Sequence, residues 1–211
     1  MKALRRHALV RLSRAPDAHG TADRERALRW QAAGRPFVVT RRRDVGDTIG
    51  LGFCTTDAQH PELRPRRVAA HADPRLVVDL ALPPLLTDIS CCPAAGRLAD
   101  SFARLEAAAA AAGVAIRVYG SWMWQALTDE RHVHDSSDLD VLIDVAGAAA
   151  ADRVAACLEA IEPALAIRLD GELSFAGLGE VNWHEYRQDK PEVMLKSVDA
   201  MRLVARRELP Q

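Results

Sequence analysis

Residues 117–145 read RVYGSWMWQALTDERHVHDSSDLDVLIDV, and this stretch decides the fold. A short apolar run ends at Tyr119, Gly120-Ser121 turns the chain, and Trp122, Trp124 and Leu127 continue it as a helix. A polar loop follows, and from Asp138 the chain alternates through Leu139, Asp140, Val141, Leu142 and Ile143. A strand's period of two puts Asp138 and Asp140 on one face and Leu139 and Val141 on the other. Two carboxylates so placed repel each other and lose hydration. A hard divalent cation such as Mg²⁺ compensates them, taking carboxylate oxygens and keeping positions for substrate phosphates. The pattern therefore predicts a metal-dependent phosphoryl-group transferase with Asp138 and Asp140 as metal ligands.

Working outward, a helix begins near Pro93 and runs through Leu98, Phe102, Leu105 and the alanines at 107–112, until Gly113 stops it. Val114 to Tyr119 is strand-like. Ala148 to Ile161 predicts an amphipathic helix through Val154, Cys157, Leu158 and Ile161. Segments 164–169 and 172–175 alternate around Asp170-Gly171, an ordinary hairpin turn signal, and residues 180–186 alternate again. Lys196 to Arg207 predicts a terminal amphipathic helix through Val198, Met201, Leu203 and Val204. Upstream, a helix from Thr21 to Gly34 precedes strands over 37–40 and 48–55. A Pro-containing segment at 59–65 leads to apolar runs at 66–70 and 77–80. The fold class expected is α+β: a small α+β domain over 1–88, then a mixed-sheet core with flanking helices over 89–211.

Composition limits the function classes. The 211 residues are 49% hydrophobic with a formal net charge of -1, which argues against binding nucleic acid or membrane by bulk electrostatics. There is no strongly basic stripe and no helix–hairpin–helix motif, so a nucleic-acid polymerase is disfavoured. Arginines interrupt every apolar run of the N-terminus, and no stretch is long enough to span a bilayer. The four cysteines, Cys54, Cys91, Cys92 and Cys157, have no metal-ligand spacing and read as free thiols, so the expected compartment is the cytoplasm.

A Gly-Ser turn after a strand, a helix, and Asp-x-Asp on the next strand together resemble the nucleotidyltransferase superfamily of the DNA polymerase β type. The ordered set VYGSWMWQALT, DSSDLDVLIDV, LDGELSF, NWHEY and VMLKS resembles more narrowly the malonate decarboxylase holo-acyl-carrier-protein synthases, which are phosphoribosyl-dephospho-CoA transferases. RHALVRL, PFVVTRR and GLGF extend the likeness into the first half.

The resemblance implies a nucleotidyltransferase-type core preceded by a domain for donor or carrier recognition. It implies that triphosphoribosyl-dephospho-CoA is the donor and a serine of the apo acyl-carrier subunit of malonate decarboxylase the acceptor, with pyrophosphate released. It implies Mg²⁺ on Asp138 and Asp140, and a third carboxylate on a later strand, for which Asp170 is the first choice and Glu172 the second. Gly120 and Ser121 would meet the donor's phosphates: glycine lets the backbone approach, helix N-terminal amides favour an anion, and the hydroxyl is a donor. Lys196 is a further phosphate-binding candidate. The clusters 41–43 and 66–67, represented by Arg41 and Arg67, are candidates for holding phosphates or an acidic carrier. Trp122, Trp124 and Trp183 read as core, and His132 and His134 as solvated loop residues. The alternatives are another Mg²⁺-dependent nucleotidyltransferase, adenylylating a small molecule or a protein, and a non-catalytic partner-binding module on the same core.

Overall fold

The structure is a computed structural model describing residues 4–42, 46–57, 60, 63–188 and 190–211. Arg43 and parts of the 59–65 segment lie outside the described residues. The chain divides into two compact units. The first comprises Met1–Pro83 with Leu127–His132 and Ser197–Ala200; the second comprises Pro84–Ala126, Val133–Lys196 and Met201–Gln211.

The first unit is an antiparallel sheet with one long helix. Its elements are β1 (Leu9–Leu12), β2 (Asp17–Ala18), α1 (Gly20–Ala32), β3 (Phe37–Val39), β4 (Ile49–Thr55), β5 (Arg66–Ala72) and β6 (Val77–Ala81). The strands lie in the order β2-β5-β4-β3-β1-β6. Trp30 of α1 packs on Phe53, with ring centroids 5.0 Å apart, and its indole N–H donates to the Pro36 carbonyl at 2.8 Å. Phe37 meets Phe53 edge-on. These three aromatic rings, one with its polar atom satisfied, pack together among buried aliphatic residues such as Val10, Ile49, Leu51 and Val68.

The second unit contains α2 (Leu86–Ser90), α3 (Ala99–Ala112), β7 (Ile116–Tyr119), α4 (Gly120–Leu127), β8 (Leu139–Val145), α5 (Ala148–Ile161), β9 (Leu169–Phe175), β10 (Gly179–Asn182), α6 (Trp183–Arg187), β11 (Glu192–Lys196) and β12 (Met201–Ala205). The sheet order is β12-β11-β10-β9-β8-β7. Every pairing is antiparallel except β8 with β9, which α5 joins as a crossover; a parallel pair requires such a connection. The chain is therefore α+β with one mixed sheet.

This sheet has two chemically different faces. Ile116, Val118, Leu139, Val141, Ile143, Leu169, Leu173, Val181, Val193 and Leu195 alternate onto one face and join Phe102, Leu105, Val154 and Leu158 of α3 and α5 in one apolar core. By the same period, Tyr119, Asp140, Asp170, Glu172, Asn182 and Lys196 fall on the other face. Trp122 and Trp183 are buried in the core and Trp124 is also buried, as their sequence predicted.

Four expectations are corrected. First, residues 196–207 are not a helix; Lys196 ends β11, and the chain returns as β12. Ser197 makes the turn, its hydroxyl accepting from the amides of Asp199 and Ala200, so local side-chain bonding displaces helical bonding. Val193, Leu195 and Val204 are buried by strand alternation, while Met201 and Leu203 of the supposed helical stripe are exposed. Second, Asp170-Gly171 is no turn: both residues lie in β9, beside Asp140 and Val141 of β8. Gly171 is there because a Cβ would come within 2.8 Å of the Val141 carbonyl oxygen. Third, the alternation at 180–186 is a strand only to Asn182, which caps α6 by accepting from the amides of His184 and Glu185. Fourth, His132 is buried, with Nε2 3.9 Å from a Glu130 carboxylate oxygen. No helix among the described residues is long and apolar enough to cross a membrane.

Candidate active site

Gly120 opens α4 directly after β7, with φ +69. Its neighbour β8 places Asp140 opposite Tyr119, and a Cβ at position 120 would stand 2.0 Å from Asp140 Oδ2. Only glycine both adopts this conformation readily and leaves room for the carboxylate. The first turn of α4, which contains half-buried Ser121, thus starts against Asp140. Amides at a helix N-terminus favour an anion.

Asp170 is the register neighbour of Asp140 across the parallel pair. Its Oδ1 accepts from the Gly171 amide at 2.8 Å and from Asn182 Nδ2 at 2.9 Å. The other oxygen, Oδ2, makes no hydrogen bond among the described residues. Asn182 thus works twice: its Oδ1 caps α6 while its Nδ2 fixes the Asp170 carboxyl.

Asp138 lies one residue before β8 and receives both arms of the Arg168 guanidinium, with Nε donating to Oδ1 at 2.8 Å and Nη2 to Oδ2. Arg168 precedes β9, and its carbonyl accepts from the Leu139 amide, so the backbone ladder anchors it. Asp138 holds the guanidinium far above its ordinary pKa, first by those hydrogen bonds and then by its charge, with Asp170 and Asp140 adding to the attraction. Arg168 is bonded to Asp138, and Asp140 and Asp170 act on it only through their charge. The three aspartates are not already gathered at metal-holding spacing: no group of three or more His, Cys, Asp or Glu side chains among the described residues has that arrangement.

Glu172 sits one step further along the same face, buried, with its Oε1 2.8 Å from Lys196 Nζ. Two candidates from the sequence, Glu172 and Lys196, are thus each other's partners. The structure sets Gly120 against Asp140 and Asp170 beside Asp140 in register, with Asp138 two residues before Asp140. Arg41 and Arg67 belong to the first unit and are exposed, Arg67 lying on β5 opposite Cys54. Beside Arg67, Arg66 is forked onto Asp23.

Sequence reasoning missed Arg168 and Asn182, although both had signals. Arg168-Leu169-Asp170 repeats the period that pairs Asp138 with Asp140, and Asn182 with Glu185 three residues on is a helix-start signature.

Known proteins resemble this chain over most of its length. A family model described as phosphoribosyl-dephospho-CoA transferase MdcG C-terminal domain matches residues 85–207. A phosphoribosyl-dephospho-CoA transferase of Xanthomonas campestris pv. campestris (strain 8004) is 36% identical over 212 residues, covering 97% of this chain and 95% of its own. Another, from Bradyrhizobium diazoefficiens, is 35% identical over 183 residues, covering 85% of this chain and 78% of its own. No solved structure matches.

Proposed function

Because the chain belongs to the phosphoribosyl-dephospho-CoA transferase family and is a transferase, we propose that it acts on the acyl-carrier subunit of malonate decarboxylase. It moves the phosphoribosyl-dephospho-CoA group from triphosphoribosyl-dephospho-CoA to a serine of the apo subunit. The serine oxygen forms a bond to the phosphorus carried by the ribose, the bond from that phosphorus to pyrophosphate breaks, and the serine proton leaves to a base. Transfers of this kind depend on positioning and charge neutralisation more than on a covalent enzyme intermediate.

The observation that supports this reading best is the close approach of Gly120 to Asp140. It sets a phosphate-binding helix start directly beside carboxylates with the hard oxygen donors that suit Mg²⁺. Asp138 and Asp140 would hold the ion. Bound there, Mg²⁺ would neutralise charge on the reacting phosphate and activate the attacking oxygen. Asp170, fixed through one oxygen by Asn182 and Gly171, offers its second oxygen to the serine proton. Ser121 and the first amides of α4 receive the phosphates of the donor. The N-terminal domain expected over residues 1–88 serves recognition of the donor or carrier through Arg41 and Arg67, and the reaction belongs to the cytoplasm.

The test incubates the protein with apo acyl-carrier subunit, Mg²⁺, and either the triphosphoribosyl donor or ATP. A mass increase on the carrier with the first donor, matched by pyrophosphate, is the expected result. An adduct formed only from ATP would make the protein a different nucleotidyltransferase. Carrier binding without transfer from any donor would make it a binding module.

A further inference from the structure

Arg168 is an unusual occupant of a site whose carboxylates are to meet a cation. Both arms of its guanidinium are on Asp138. Its main chain is fixed by the Leu139 amide, while its side chain is 72% exposed against 29% for Asp138. The anchor is rigid and the reach is not. An ion pair open to solvent can exchange partners at modest cost, and the bidentate arginine fork, the strongest form of such a pair, sets how large that cost is.

We propose that Arg168 is a positioning residue that competes with the divalent cation for Asp138. Before the cation binds, the fork holds Asp138 in place and offsets its charge. When the cation binds, Arg168 gives up Asp138, and its long, solvated side chain swings clear while the β8–β9 ladder stays intact. Cation binding is thus an exchange of one positive group for another. Its cost is set in part by the arginine that must leave. The inference rests on the reading of Asp138 as a metal ligand.

Direct Mn²⁺ binding to the full chain, followed by electron paramagnetic resonance of the free ion with no donor or carrier present, tests it. Arg168→Gln should bind Mn²⁺ about tenfold tighter than wild type, and Arg168→Lys, which keeps the charge but loses the fork, about threefold tighter. The same Arg168→Gln change made on Asp138→Asn should tighten binding by no more than about twofold, the remainder left by bulk charge. Unchanged or weaker binding by Arg168→Gln would overturn the proposal. An equal gain in the Asp138→Asn background would overturn it too, because the arginine would then act on the whole site rather than on Asp138. If Asp138→Asn alone leaves Mn²⁺ affinity intact, the metal-ligand reading fails with it. A normal loss in that variant combined with no arginine effect fails this inference alone.

Discussion

Two ion pairs on one face of the second sheet look alike on paper and differ in kind. Glu172 and Lys196 meet at 2.8 Å with side chains 5% and 25% exposed, and buried Glu180 is the register neighbour of Lys196 on β10. Asp138 and Arg168 meet in the open, where the guanidinium is also drawn by Asp140 and Asp170. A buried carboxylate must keep its partner, because the alternative is an uncompensated charge out of water. An exposed one can exchange its partner for another cation. The same face thus holds a buried strut at its centre and an exposed contact at its proposed working end. Residue type alone could not separate them: Glu172 and Lys196 were as eligible for chemistry as Asp138.

The sharpest way to break this comparison is at the working end. Asp140→Asn should lower carrier modification by at least about 10³-fold with the melting temperature little changed, since the lost charge is needed at the reacting phosphate. Gly120→Ala should cost about 10²-fold or more, because the added methyl displaces the Asp140 carboxyl or the start of α4. It should also lower the melting temperature, given the φ of +69 at that position. Activity within tenfold of wild type in either variant would remove the Gly120–Asp140 contact from the site. At the strut the expectation reverses. Lys196→Met should lower unfolding free energy by about 3 kcal/mol, and Lys196→Met with Glu172→Leu should recover most of it. Urea denaturation measures both; a double variant no more stable than the single one would show that the pair is not a closed unit.

The first unit supplies a third carboxylate that sharpens the contrast. Burial pushes Glu130 up, yet the Thr56 amide, the Arg35 guanidinium and the Thr56 hydroxyl outweigh it and hold its pKa below the ordinary 4.5. An acid with a depressed folded pKa stabilises above its unfolded value, and that contribution disappears as pH falls from about 4.5 through the folded value. Glu130→Gln should therefore cost about 2 kcal/mol at pH 7, and its deficit against wild type should shrink below pH 4.5. A deficit that stays constant with pH would mean the partners do not distinguish carboxylate from amide.

Where the candidate site's residues lie in the fold was partly legible in the sequence. Period two put Asp138 and Asp140 together, and the Gly-Ser turn named the place where a helix begins. What was not legible depended on neighbours distant along the chain. Gly171 reads as a turn until Val141 is known to pass behind it. Residues 196–207 carry apolar spacing that suits a helix, and only pairing of β11 with β12 makes Met201 and Leu203 outward residues. Lys196 looks available until Glu172, 24 positions away, reaches it. Local periodicity locates a strand, and pairing decides what its side chains are committed to.

Asn182 is where the smallest change should separate structure from chemistry. Its Oδ1 caps α6 and its Nδ2 holds Asp170 Oδ1, two tasks done by opposite ends of one amide. Asn182→Ala removes both, costing about 1 kcal/mol of stability through the cap and about tenfold in transfer through a loosened Asp170. Asn182→Asp keeps the cap, since aspartate caps helices as well as asparagine does. It replaces the donor by a second acceptor, so Asp170 loses its hydrogen bond and gains a like charge. Stability should then stay near wild type while transfer falls by at least as much as in Asn182→Ala. Equal losses of stability in both variants would make Asn182 a cap with no hold on the site. A normal rate in Asn182→Asp would show that the Asp170 carboxyl needs no orienting partner.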